Sequence, residues 1–67
     1  MAKIIANGNV VEIQQPYRLS EWLQRAGWKP TQVVVELNGE VVQKSRVNDI
    51  ELHDGDRLEV ILPVAGG

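Results

Sequence analysis

The chain has 67 residues and a mass of 7.5 kDa, of which 43% are hydrophobic and 24% charged, with no cysteine and one histidine. A chain of this length forms one small domain with a thin core, which excludes a large enclosed active site, and the lack of cysteine excludes both a disulfide framework and a Cys-ligated zinc site. Seven Lys and Arg against nine Asp and Glu give a net charge of -2, the wrong sign for binding nucleic acid or an anionic membrane surface.

The first predicted element is a β-hairpin whose turn is Asn7-Gly8. Asn-Gly between two short apolar runs is the strongest local signal for a two-residue turn, because both residues tolerate positive φ. The turn joins a strand over residues 3–6 to a strand over residues 10–13. Apolar residues lie side by side in both strands, so their alternation leaves open which of them face the core.

An amphipathic helix follows, since the hydrophobic period changes from 2 to 3.6 after the hairpin. Its apolar stripe is expected to face the core and consists of Leu19, Trp22, Leu23 and Ala26. No Ser, Thr, Asp or Asn directly precedes the stripe to cap the helix start. Gly27 is predicted to end the helix in the left-handed conformation, with Trp28 returning onto Leu23. Both tryptophans are assigned to core or cap packing, with an interface role as the alternative.

The third region is a second hairpin, in which residues 33–37 and 40–43 pair through the turn Asn38-Gly39. Alternation places Val33, Val35 and Leu37 on one face. Residues 44–52 have no sustained period and are expected to form turns or a short 3₁₀ segment, with Ile50 and Leu52 packed inward.

The turn Asp54-Gly55-Asp56 leads into a fifth predicted strand over residues 57–62, whose core-facing residues are expected to be Leu58, Val60 and Leu62. Pro63 ends this strand because it has no N–H for the ladder. Strands from two hairpins and a last strand, with one helix, predict an α+β domain over residues 1–63. Residues 64–67 follow it as a separate segment.

No catalytic or metal site is predicted, and no bound cofactor is expected. The chain lacks the Gly-rich phosphate-binding loops and the Gly-x-Ser-x-Gly elbow of hydrolases. His53 beside Asp54 has no nucleophile placed near it in this topology. Asp54 and Asp56 lack the further oxygen ligands of a calcium loop, so a turn is the preferred interpretation.

The last four residues, Val64-Ala65-Gly66-Gly67, are called the tail here and are expected to be flexible. Their distinctive functional group is the α-carboxylate of Gly67. Because the last two residues have no Cβ, extended backbone can pass through a narrow channel in another protein and present this carboxylate to ATP. The product is an acyl-adenylate, from which a sulfur or nitrogen nucleophile can displace AMP. On this interpretation the protein is a substrate, and catalysis belongs to its partner.

Three runs of residues resemble the sulfur carrier protein of thiamine biosynthesis, the ThiS family: Val-Val-Val-Glu-Leu-Asn-Gly-Glu-Val-Val (33–42), Asp-Gly-Asp-Arg-Leu-Glu-Val-Ile (54–61) and Val-Ala-Gly-Gly (64–67). The resemblance covers essentially the whole chain. It implies a ubiquitin-like β-grasp fold, in which a mixed five-stranded sheet packs on one main helix. The ending Leu-Pro-Val-Ala-Gly-Gly also resembles the small subunit of molybdopterin synthase, a related sulfur carrier, while the short first hairpin favours the thiamine branch.

The resemblance implies that Gly67 is adenylated by an E1-like adenylyltransferase, which uses ATP, and is converted to a C-terminal thiocarboxylate. A sulfur donor such as a cysteine desulfurase or a rhodanese-type protein would supply the sulfur, and thiazole synthase would receive it. The protein is then a cosubstrate rather than an enzyme. Two alternatives stay open: a non-reactive β-grasp binding module, and a modifier joined to lysines through Gly67.

The partners expected from the residues alone are proteins, with no nucleic acid and no membrane. The chain carries neither an apolar run long enough to span a bilayer nor the apolar stretch of a signal peptide, which predicts a cytoplasmic protein. A candidate docking patch for the activating enzyme is predicted around Ile61, which alternation places on the sheet face opposite the core, next to the tail. Val42 or Val34 is expected to join Ile61 if the register allows, and a lone surface aliphatic is the alternative.

Overall fold

The computed structural model describes residues 1–63, in which five strands, one α-helix and two 3₁₀ segments follow one another. The tail lies outside the described residues, so its expected flexibility and the domain limit at residue 63 stay predictions. The 3₁₀ segments span Pro30–Gln32 and Lys44–Asp49. The strands and the helix are β1 (Ala2–Ala6), β2 (Asn9–Ile13), α1 (Leu19–Ala26), β3 (Val34–Leu37), β4 (Glu40–Val42) and β5 (Arg57–Ile61).

The five strands form one mixed sheet in the order β2-β1-β5-β3-β4. Each hairpin contributes one antiparallel pair, and β5 lies between the hairpins, parallel to β1 and antiparallel to β3. The last strand of the chain therefore joins the two hairpins into a single sheet. The helix α1 covers one face of that sheet, here called the inner face, and this confirms the predicted α+β class. The opposite face is called the outer face.

The first hairpin turns at Asn7-Gly8, where both residues have positive φ, 49° and 83°. Its register pairs Ile4 with Val11 and Ile5 with Val10. Ile4 is fully buried, whereas Ile5 and Val10 lie on the exposed outer face. The structure thus decides the question that alternation left open: β1 presents Ala2, Ile4 and Ala6 to the core.

The limits of α1 follow from hydrogen bonds at its two ends. At the start, the backbone N–H of Arg18 donates to the Glu21 carboxylate at 2.9 Å, a cap that the sequence pattern did not reveal. At the end, Gly27 is left-handed with φ 86°, and the Trp28 N–H donates to the Leu23 carbonyl at 2.9 Å. This is the predicted Schellman geometry, and it satisfies carbonyls that the helix end would otherwise leave unpaired.

The helix buries less of its apolar stripe than predicted. Leu19 and Leu23 are fully buried and Trp22 is half-buried against the core. Ala26 is exposed, because the last turn of α1 borders an open groove beside β2 rather than the sheet. Trp28 is half-buried and packs against the core next to the helix cap.

The core lies between α1, the Lys44–Asp49 segment and the inner face of the sheet. Leu58 is its fully buried residue on β5, and Val60 is half-buried, but Leu62 is 56% exposed. The expectation that Leu62 faces the core is therefore wrong: β5 ends at Ile61, and without a neighbouring strand Leu62 is not held against the core. The buried side chains are those of Ala2, Ile4, Ala6, Ile13, Leu19, Leu23, Val33, Val35, Val47, Leu52 and Leu58.

The irregular region between β4 and β5 packs as expected. Its residues 44–49 form a 3₁₀ segment, and of the two side chains expected to point inward Leu52 is fully buried and Ile50 half-buried. Within the part of the chain that the structure describes, no helix has the length and apolar character needed to cross a membrane.

Candidate functional site

The tail follows β5, so the site is built around the end of this strand, and the first feature is how Asn7 holds it. β1 ends one residue earlier, at Ala6. The Asn7 N–H donates to the Leu58 carbonyl at 2.9 Å, and its side-chain Oδ1 accepts the N–H of Val60 at 2.9 Å. The asparagine side chain thereby extends the parallel ladder beyond the end of β1, where the backbone of the turn has left the sheet.

Asn38, in the second hairpin turn, holds the opposite end of β5. Its N–H donates to the Arg57 carbonyl at 2.8 Å, and its Oδ1 accepts the Arg57 N–H at 2.9 Å. Its Nδ2 also donates to the Asp56 carboxylate at 3.0 Å. Sequence reasoning assigned both asparagines to turns only. Their side-chain amides were the available signal, but the strand that they bind is far away along the chain.

The carboxylates of the Asp54-Gly55-Asp56 turn are used by backbone donors. Asp54 accepts the N–H of Lys3 at 2.7 Å, and Asp56 accepts the N–H of His53 at 2.8 Å. The Gly55 N–H donates to the Lys3 carbonyl at 2.8 Å, which ties the turn to β1. These bonds explain the two aspartates as parts of the entry to β5. Among residues 1–63, no group of three or more His, Cys, Asp or Glu side chains could hold a metal ion.

The outer face carries the predicted docking residue Ile61 together with Val34. Ile61 is 44% exposed and lies directly opposite Val34 in the β3–β5 register. The neighbouring pair, Val35 with Val60, faces the core, so alternation puts Val34 and Ile61 together on the outer face. Of the two residues expected to join Ile61, the register therefore selects Val34.

Val42 does not belong to this patch. It lies opposite Val35 in the β3–β4 register and packs half-buried against the core, on the inner face. The reason is the two-residue turn at Asn38-Gly39, which fixes the register so that Val35 pairs with Val42. Paired residues of neighbouring strands lie on the same face of the sheet, so Val42 lies on the face of Val35. The turn length was the sequence signal that would have excluded Val42.

Next to the Val34–Ile61 pair, two carboxylates face each other. Glu36 lies opposite Glu59 in the β3–β5 register, and Val41 of β4 lies on the other side of Glu36. Arg57 lines the same surface hollow as the two glutamates. Within residues 1–63 the ion pairs are Arg46 with Asp49 and His53 with Glu51, so neither Glu36 nor Glu59 has a cation within 4.0 Å. Sequence reasoning missed this pair because strand order was needed to find it.

An open groove of about 750 Å³ lies elsewhere, between α1 and β2. Tyr17, Trp22 and Arg25 are among the residues that line it. Since β1 separates β2 from β5 in the sheet, the groove lies apart from the strand that leads to the tail.

Comparisons with known proteins agree on one family. The family model of the ThiS family matches residues 2–67. A crystal structure of thiamine biosynthesis protein ThiS from Geobacter metallireducens superposes with a TM-score of 0.81 at 26% identity, over 97% of this chain and 99% of that one. An NMR structure of a thiamine biosynthesis protein from the same organism gives a TM-score of 0.76 at 28% identity, over 97% and 87% of the two chains. These matches confirm the ubiquitin-like β-grasp expectation.

A curated relative is named thiazole synthase and comes from Paramagnetospirillum magneticum (strain ATCC 700264 / AMB-1). It is 31% identical over 65 residues, which are 97% of this chain and 20% of the relative. The chain thus spans about a fifth of the length of the curated relative that it matches.

Proposed function

The chain belongs to the ThiS family, and from this membership we infer that it is a sulfur carrier of thiamine biosynthesis whose Gly67 bears the sulfur. The observation that carries the proposal is the extent of the family match, which includes the Gly66-Gly67 end. The match favours the thiamine branch over the molybdopterin branch. Proteins of this family are small carriers, so the chemistry is done by partners.

The proposed reaction begins with activation of the Gly67 carboxylate. One carboxylate oxygen attacks the α-phosphorus of ATP, which forms a P–O bond and releases pyrophosphate. The terminal sulfur of the donor's cysteine persulfide then attacks the carbonyl carbon, a C–S bond forms, and the C–O bond to AMP breaks. A second thiol, which is the two-electron reductant, attacks the donor-side sulfur of the resulting acyl disulfide, so that the S–S bond breaks, the thiocarboxylate leaves, and the thiol and the donor cysteine end as a disulfide. The net change is replacement of one oxygen by sulfur, which leaves a thiocarboxylate at the end of the tail.

The proposed partners follow from these steps. An E1-like adenylyltransferase catalyses the activation and binds the ATP, so the carrier needs no cofactor of its own. A cysteine desulfurase or a rhodanese-type protein supplies the sulfur. The relative named thiazole synthase supports the proposal that thiazole synthase receives it, because a segment similar to nearly this whole chain occurs within that protein.

The described part of the chain, residues 1–63, has the proposed role of holding the strand that precedes the tail in a fixed position. The tail follows a central strand that is held by β1 and β3 and, through side chains, by Asn7 and Asn38. Because hydrogen bonds from both hairpin turns hold the strand, a partner that docks on the outer face finds the end of β5, from which the chain continues into the tail, at a constant position. The Val34–Ile61 pair beside that point is the proposed apolar docking patch.

The test is intact mass spectrometry after incubation with ATP, a sulfur donor, a thiol reductant and the adenylyltransferase of the thiamine pathway. The expected result is a gain equal to one oxygen-to-sulfur exchange at Gly67. One alanine appended after Gly67 is expected to abolish the gain, while one alanine added before Met1 serves as the control and leaves it unchanged. An exchange that persists with the appended alanine would contradict the proposal. A stable adduct on another protein would favour the modifier alternative instead.

A further inference from the structure

We propose that the Glu36–Glu59 pair is the charged centre of the docking surface and selects a partner that places an arginine or lysine side chain between the two carboxylates. The inference rests on the proposed function, because the partner it describes is the activating enzyme. Beyond the apolar patch, the docking surface then requires a cation: the partner's surface carries apolar residues over Val34 and Ile61 and a basic side chain next to them, over the two carboxylates.

Glu36 and Glu59 face each other on adjacent strands in the middle of the five-stranded sheet, with side chains on the outer face. Residues directly opposite in an antiparallel pair have Cβ atoms about 5 Å apart, close enough for two like charges to repel. Glu36 is half-buried, so water screens its charge less than that of a fully exposed glutamate.

The fold itself does not compensate this repulsion. No hydrogen bond to either carboxylate and no ion pair with either is present among residues 1–63. Arg57 lines the same hollow and lies on the same face, yet its guanidinium is not within 4.0 Å of a carboxylate there. The pair is therefore a site of negative charge that a cation from outside can occupy.

The surroundings indicate what kind of molecule supplies that cation. On one side of the carboxylates lie Val34 and Ile61, and on the other lies Val41, which is 65% exposed. Asn38 and Arg57 line the remaining side of the hollow, so apolar residues border the carboxylates on two sides. Apolar contacts that exclude water strengthen a charge pair beside them, and a guanidinium can bind both carboxylates through its planar fork. A protein surface that carries an arginine among apolar residues complements this arrangement, because the arginine is opposite in charge to the carboxylates and the apolar residues can pack on the valines and Ile61.

The experiment measures adenylation by pyrophosphate release, with the adenylyltransferase of the thiamine pathway, for Glu36→Gln and Glu59→Gln. The matched control is Glu12→Gln, which changes the net charge equally and lies on the outer face opposite Lys3, two strands away from β5. We expect each test variant to raise KM for the carrier about tenfold at low ionic strength, with kcat unchanged. The difference shrinks above about 0.1 M salt, where the Debye length falls below about 10 Å.

A charge reversal separates docking from folding. Glu59→Lys creates an ion pair with Glu36, so the variant is expected to resist urea at least as well as the wild type while its KM rises further. Equal KM values for Glu36→Gln, Glu59→Gln and Glu12→Gln would overturn the inference while the wild type is still adenylated. A wild-type chain that is not adenylated at all would instead overturn the proposed function, and the inference with it.

Discussion

The side-chain oxygen of Asn7 accepts the backbone N–H of Val60 at 2.9 Å, so a residue of the first hairpin turn holds the strand that leads to the tail. The bond joins residues 53 positions apart. It replaces the backbone acceptor that β1 would have offered had the strand continued past Ala6. An asparagine at this turn position therefore combines a left-handed backbone with an acceptor for the central strand.

Asn7→Gly tests this relationship, because glycine keeps the positive φ of the turn and removes only the side-chain acceptor. We expect the free energy of unfolding to fall by about 1 kcal/mol, the usual contribution of one hydrogen bond. Urea denaturation followed by tryptophan fluorescence measures it. Asn9→Ala is the control, since Asn9 is exposed in the same hairpin, and it should change stability by less than about 0.5 kcal/mol. Equal stability of Asn7→Gly and the wild type would contradict the assignment.

Glu36→Gln is expected to stabilise the fold. The change removes a like charge directly opposite Glu59, which should raise the free energy of unfolding by about 0.5 kcal/mol at low ionic strength. The gain should decrease as salt is added, because salt screens the repulsion in the wild type. Glu40→Gln is the control, because Glu40 lies opposite Leu37. If both variants shift the urea midpoint equally, repulsion across β3 and β5 is not the cause.

Leu58 and Leu62 are leucines close together in sequence at β5 that differ in burial. Leu58 is fully buried, whereas Leu62 is 56% exposed. Leu58→Ala should lower the free energy of unfolding by about 3 kcal/mol through lost burial and a cavity, and Leu62→Ala by less than about 0.5 kcal/mol. In so small a domain, the first change should leave a large unfolded fraction in circular dichroism. A comparable loss of stability for Leu62→Ala would contradict the exposed position of Leu62 and show that its side chain packs in the core.

Ile61→Thr tests the apolar docking patch while keeping a β-branched side chain in the strand. We expect kcat/KM for adenylation to fall about fourfold, roughly the contribution of one buried CH₂ group, with the urea midpoint nearly unchanged. Val10→Thr is the matched control, since Val10 is 67% exposed on the same face but lies on the edge strand β2. Wild-type kinetics for Ile61→Thr would leave Ile61 as an ordinary surface aliphatic residue.

The candidate site was only partly predictable. Ile61 and its outward orientation followed from alternation in a single strand. The choice of Val34 over Val42 needed two strand registers. The two-residue turn implies the β3–β4 register, which excludes Val42. The β3–β5 register, which puts Val34 opposite Ile61, is known only from the tertiary structure. The Glu36–Glu59 pair could not be found from local patterns, because each glutamate alone has the pattern of an ordinary solvent-facing strand residue. The two face each other only because β5 lies next to β3 in the sheet.

The sequence by itself determined the two Asn-Gly turns, the Gly27 end of α1, the five strand positions and the Gly-Gly ending, because each depends on φ preferences and side-chain periodicity over a few neighbouring residues. The tertiary structure decided that Ile4 rather than Ile5 is buried, that Ala26 and Leu62 are exposed, and which residues meet on the outer face. These outcomes depend on β5 inserting between the hairpins, and the hydrogen bonds that hold it there join residues distant in the chain, where no local pattern reaches.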